Sequence, residues 1–173
     1  MAIRNILKYP DPLLRKKAQP VNEFGEELEQ LVADMAETMY DAPGAGLAAP
    51  QIGVHLQVVV MDVSPSEEKA KEKKLTVLVN PEILEMEGEV IDEEGCLSVI
   101  EYSAKVKRAR KIKVCARDPK GNPLEFEAEE WFARVIQHEV DHLLGILFID
   151  RISSLKRSLY KKKLKKLLKE QEG

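Results

Sequence analysis

Cysteine is scarce in this chain: Cys96 and Cys115 are the whole supply in 173 residues. Two thiols could close one disulfide at most, which excludes a scaffold built on disulfides. With no sign of export, both are expected to be free in a reducing compartment. Long apolar runs are missing too, and none approaches the roughly 20 residues that span a bilayer. The first eighteen residues carry Arg4, Lys8 and Asp11 and lack the unbroken apolar core of a secretory leader. These absences predict a cytoplasmic protein with no membrane part. There are no internal repeats. Histidine is rare as well, with only His55, His138 and His142, so the places where they fall carry information.

What is present describes one folded domain. Hydrophobic residues make up 44% and charged residues 33%, a globular balance rather than a disordered one. A single domain of this length buries about 70% of the surface its unfolded chain exposes. The net charge of −3 hides an asymmetry: residues 151–173 hold nine Lys/Arg against Glu170 and Glu172, which leaves residues 1–150 at −10. The expected organisation is therefore a single body over 1–150 and a basic helix over 151–173. A basic tail on an acidic body suits a polyanionic partner such as nucleic acid or the ribosome, and equally a solvated amphipathic helix.

Pro10 and Pro12 predict an extended or turned entry. Leu28, Leu31, Val32, Met35 and Met39 recur at helical spacing, which predicts a helix over 25–40. A loop of small residues follows over 41–51, where short side chains permit close backbone approach. Strands are predicted over 56–63 and 75–79, divided by a charged, mobile surface excursion over 64–74. Short β-like runs continue at 83–86, 89–91, 104–108 and 112–116, then at 124–128 after a turn. Helical periodicity returns over 129–144 with Gly145 as its cap. Residues 146–149 read as a short strand, and 152–168 as a helix whose apolar stripe is Leu155, Leu159, Leu164, Leu167 and Leu168. The fold class is α+β, with short antiparallel strands wrapped around a central helix and an amphipathic helix at the C-terminus.

The central helix carries His138-Glu139-Val140-Asp141-His142, an H-E-x-x-H motif. Positions i and i+4 stack on one helix face, so two imidazoles can share one metal ion with Glu139 beside them. The helix is apolar over most of its circumference and so is expected to be buried, where an unpaired imidazole needs a partner. A catalytic metal wants a third protein ligand, and His55, Cys96, Cys115 or a carboxylate could supply it. Cys96 follows a strand and stands beside Gly95, which allows close backbone approach. Cys115, inside a strand, reads better as a buried structural thiol.

Three separated segments together resemble the peptide deformylases: Gly44-Ala45-Gly46-Leu47-Ala48-Ala49-Pro50-Gln51, Glu94-Gly95-Cys96-Leu97-Ser98, and Gln137-His138-Glu139-Val140-Asp141-His142. They occur in that family's order, and the resemblance covers nearly the whole chain. It implies a metal-dependent hydrolase that removes the N-formyl group from the formyl-methionine of nascent polypeptides. On this likeness Cys96, His138 and His142 hold one divalent metal ion, with ferrous iron favoured and zinc, nickel or cobalt as alternative occupants. Water activated by the metal attacks the formyl carbon, with Glu139 as general base and then acid. The Gln51 amide and the Leu97 N–H stabilise the oxyanion. The resemblance places the substrate backbone along Ala45, Gly46 and Gly95. Helix facing suggests Val135 and the stem of Arg134 as walls of the methionine pocket. Ala45 stands where the family commonly has a larger aliphatic residue, so one side of the cleft is expected to be roomier. Arg108 is a candidate partner for Glu94.

Two other readings are weaker. A zinc endopeptidase needs a downstream ligand, and no histidine follows His142. A non-catalytic RNA- or ribosome-binding module with a structural metal needs a fourth ligand. The basic C-terminal helix remains a candidate ribosome contact for an enzyme that meets nascent chains.

Overall fold

A computed structural model describes residues 2–172. Seven strands form two antiparallel units. Strands β1 (Gly46–Ala48), β2 (Val58–Met61), β3 (Thr76–Glu87), β6 (Lys111–Arg117) and β7 (Pro123–Glu129) make a sheet in the order β1-β2-β3-β6-β7. Strands β4 (Val90–Cys96) and β5 (Val99–Arg108) pair only with each other. Four helices complete the chain: α1 (Glu26–Asp41), α2 (Ser66–Lys71), α3 (Glu130–Leu143) and α4 (Ser154–Glu172).

The position of α3 follows from β2, whose residues are apolar without alternation and buried on both faces. Val58 and Val60 pack with Leu28, Leu31, Met35 and Met39 of α1, while Val59 and Met61 pack with Ala133, Ile136 and Leu143 of α3. A strand covered by a helix on each side reads as a continuous apolar run. The helix bearing the His pair is thus sandwiched between the large sheet and the β4–β5 hairpin, and the α+β arrangement around a central helix is as expected.

Four local expectations are corrected. The runs predicted at 75–79 and 83–86 are one strand, β3. Pro81 sits inside it at a register shift between Val79 and Glu82, next to Asn80 at φ 52°, and a bulge relieves the hydrogen bond that proline cannot donate. Residues 146–149 form no strand: Leu147 is extended and Phe148–Arg151 make a 3₁₀ turn, held by the Leu147 N–H donating to Asp150 at 3.0 Å. Their apolarity serves burial alone. The charged excursion contains α2, and its ends are tied to one side chain, since the N–H groups of Ser64 and Lys74 both donate to the Asp62 carboxylate. In α4 the buried residues are Tyr160 and Leu164, whereas Leu155 and Leu159 are 69% and 56% exposed, so the leucines do not share one buried stripe.

Candidate metal centre

Two residue signals shape the site. Helix α3 puts His138 and His142 one turn apart with ring centroids 5.0 Å from each other. The β4–β5 hairpin has a register shift between Gly95 and Cys96, which turns the last residue of β4 toward the helix. Cys96 Sγ comes to 3.3 Å from His142 Nε2, and one ligand atom from each of Cys96, His138 and His142 lies within 4.8 Å of the others. These are the three residues of the expected ligand set. His55 is elsewhere, its Nε2 2.9 Å from the Leu13 carbonyl oxygen. Cys115 is half-buried on the outer face of β6, opposite Glu125, so its expected deep burial is corrected; neither cysteine is in a disulfide.

The donor set fits a divalent transition metal. One sulfur and two imidazole nitrogens converge beside the cavity, the three-donor set that an open catalytic site would use. Orientation is fixed from behind: His138 Nδ1 donates to Glu94 Oε1 at 2.9 Å, which turns Nε2 inward. Burial disfavours charge on His138, yet Glu139, Cys96 and Glu94 hold its pKa well above the ordinary value. Burial and the His138 charge hold His142 well below its ordinary value, in the neutral form that ligates metals.

Glu94 is the hub behind the ligands. Arg108 donates to it through Nε and Nη2 at 2.8 Å each, and the Arg134 guanidinium is ion-paired with it as well. Desolvation would raise its carboxyl, but Arg108 and then His138 outweigh burial and keep it well below the usual carboxylate range. Arg108 reaches on to Asp141 at 2.6 Å, and Arg151 grips Asp141 from outside. The expected Arg108–Glu94 pair is present. The roles of Arg134's head, Asp141 and Arg151 were missed, although a carboxylate inside an otherwise apolar helix was a signal, because a buried charge demands a partner.

A cavity of about 340 Å³ opens in front of the ligands, lined by Ala45, Gly46, Gln51, Gly95, Cys96, Leu97, Trp131, Arg134, Val135, His138 and Glu139 among others. All eight of the expected catalytic and substrate-contacting residues border it. Glu139 is 4% exposed, its Oε1 makes no hydrogen bond among the described residues, and burial pushes its carboxyl up to about 7. A Cβ on Gly46 would stand 2.4 Å from Glu139 Oε2, so only glycine lets the strand pass there. The Gln51 side chain accepts from the Ala48 N–H at 2.9 Å and aims its amide nitrogen at Ser98 Oγ, 3.0 Å away, and at Cys96 Sγ, 3.7 Å away. It caps its own turn and faces the metal centre at once. Arg134 borders the cavity while its head is held by Glu94 and by the Val90 carbonyl at 3.1 Å.

The polypeptide deformylase family model matches residues 3–158. The chain belongs to the polypeptide deformylase family. A peptide deformylase from Desulfotalea psychrophila is 57% identical over 166 residues, covering 96% of this chain and 97% of that one. The crystal structure of a Legionella pneumophila peptide deformylase superposes with a TM-score of 0.89 at 48% identity, covering 98% of each chain. The Met-Ala-Ser-bound class I type b peptide deformylase of Acinetobacter baumannii gives 0.81 at 35% identity, over 87% of this chain and 99% of that one. Deformylases are metal-dependent hydrolases that remove N-formyl groups from nascent polypeptides, and this chain has that function.

Proposed function

We propose that Cys96, His138 and His142 hold a ferrous ion, and that Glu139 moves the protons of deformylation of formyl-methionyl peptides. The observation that carries this reading is the meeting of one thiol and two imidazoles at the floor of a cavity that also contains a buried, unpartnered carboxylate. A bound divalent ion supplies Lewis acidity, which makes water a nucleophile near neutral pH. Glu139 takes the proton of the attacking water and returns it to the departing amine nitrogen; its elevated pKa of about 7 suits both transfers. The Gln51 amide and the Leu97 N–H receive the oxyanion, and Gln51 is already oriented by its bond to Ala48. Ala45, Gly46 and Gly95 offer the substrate backbone an edge, and Val135 with the Arg134 stem walls the methionine side chain. The Acinetobacter relative binds Met-Ala-Ser, the kind of peptide that loss of a formyl group leaves. Iron is favoured by family likeness, and zinc, nickel and cobalt suit the same donors.

A cytoplasmic setting agrees with two free thiols and with the lack, among the described residues, of a helix long and apolar enough to cross a membrane. Ribosome contact through α4 is supported by its exposed lysines beside the uncovered Leu155 and Leu159.

Anaerobic assay on a formyl-Met peptide with metal analysis tests the mechanism. Glu139→Ala should lose about 10²–10⁴-fold in kcat while keeping its metal, and Cys96→Ser should lose the metal. Undiminished turnover by Glu139→Ala removes the proposed proton transfer. For α4, charge reversal at Lys161, Lys165 and Lys169 should abolish salt-sensitive co-sedimentation with ribosomes; unchanged co-sedimentation rejects the contact. Reversal is preferable to truncation because Tyr160 and Leu164 are buried in the body.

A further inference from the structure

Beyond the metal centre lies a second, larger cavity of about 1010 Å³, and the two share Pro43, Gly44, Ala45 and Trp131. We infer that this outer cavity is a binding subsite for the segment of the formylated nascent chain that follows the first few residues, with acidic side chains directed to Lys69 and Lys73. The inference rests on the deformylase reading and adds to it the length and charge of the preferred substrate.

The direction of the bound chain follows from glycine contacts. Gly46 lies against the Glu139 carboxylate, so the reacting end of the substrate belongs there. Gly44 lies against Leu97, with an ideal Cβ 2.7 Å from its Cδ1. A substrate that pairs along this segment and terminates at Glu139 has to leave past Ala45, Gly44 and Pro43, and those residues form the border of the outer cavity. Ala45 is too small to close that passage.

The outer cavity has the chemistry of a peptide site. Trp131, 49% exposed, stands at the junction of the two cavities, and Ile3 and Val63 add apolar surface. An aromatic anchor half open to solvent is a usual focus of peptide binding. Lys69 and Lys73 line one side and Glu37 and Asp41 of α1 the other. Among the described residues none of these four charges is in an ion pair. Lys73 is held at the cavity by the Tyr40 ring, with its Nζ 4.7 Å from the centroid. Charges left unpaired around an apolar floor are available to a ligand, and Lys69 and Lys73 are the two that an acidic side chain can meet, with Glu37 and Asp41 left to basic ones.

The test compares formyl-Met-Ala-Ser with two formylated heptapeptides that share this start and end in paired Glu or paired Lys. In the native protein the Glu-ended heptapeptide should exceed the tripeptide by about tenfold in kcat/KM, mostly through KM. Lys69→Glu/Lys73→Glu should abolish that gain, favour the Lys-ended peptide and leave the tripeptide unchanged. No residue of α2 is buried and Lys73, just beyond it, is exposed, so the variant should fold, as circular dichroism will check. Equal kcat/KM at all lengths, or a gain that survives the double reversal, overturns the subsite. Failure of the deformylase reading is separate, since it shows as no turnover of the tripeptide. Trp131 is the only tryptophan, so its emission still decides in that event: a larger shift with the Glu-ended heptapeptide than with the tripeptide, erased by the double reversal, supports the subsite, and identical shifts reject it.

Discussion

The two walls of the groove are built on opposite terms. On the inner wall, α3 and β4 are bound by buried charge: Glu94 meets Arg108, Arg134 and His138, and Asp141 meets Arg108 and Arg151. On the outer wall, α2 buries no residue and its lysines have no ion partners among the described residues. The inner wall fixes His138 from behind through Glu94, the kind of support a metal ligand needs. The outer wall, on the inference above, meets only the client peptide, where variety in sequence has to be accepted. Rigidity is concentrated where bonds are broken.

The sharpest way to break the comparison is Glu94→Ala. Three cations would lose a common anion in a buried place, which should cost about 3–5 kcal/mol. Because Glu94 orients His138, metal affinity should also fall about 10–100-fold; denaturant titration and chelator competition measure the two effects. Retained stability and affinity would show that the network is ornamental. Gly46→Ala is milder. The added methyl meets Glu139, and overpacking costs about 1–3 kcal/mol, so turnover should drop while metal content stays. The smallest effect concerns the outer wall and pH. The Tyr40 hydroxyl and the Ser64 and Lys74 N–H groups overcome burial and lower the Asp62 carboxyl to about 2. A carboxyl lowered by folding adds stability above its unfolded pKa of about 4 and loses it as pH falls toward 2. Amide exchange over 62–75 should therefore quicken across that range before exchange in α3 does. Simultaneous loss in both regions would mean that the two walls are not independent.

The chemistry was more legible in the sequence than the shape. An i, i+4 spacing is fixed by helix geometry, so His138 and His142 could be paired from sequence alone, and family likeness added Cys96 from a distant strand. Element boundaries were harder where tertiary context decides. Nothing local says that Pro81 will be taken up in a bulge of a long strand rather than end it. The run 146–149 is apolar enough for a strand, but no sheet edge is offered to it, and Asp150 turns it back. In α4 the periodicity marked five leucines, while the body selected Tyr160 and Leu164. Arg134 was read by the direction of its stem, and its head belonged to a carboxylate 40 residues earlier, a separation that sequence periodicity does not report.

Strand β1 is the terminal strand of its sheet and only three residues long. An open sheet edge invites any extended chain, including another molecule of the same protein, and lengthy edges seed aggregates. Of the three residues only Gly46 is partly open: Leu47 and Ala48 are fully buried, the Ala48 N–H donates to Gln51, and a 3₁₀ turn follows at Ala49–Ile52. Such brevity, with two of the three residues sealed inside, leaves a sister molecule too little main chain to hold.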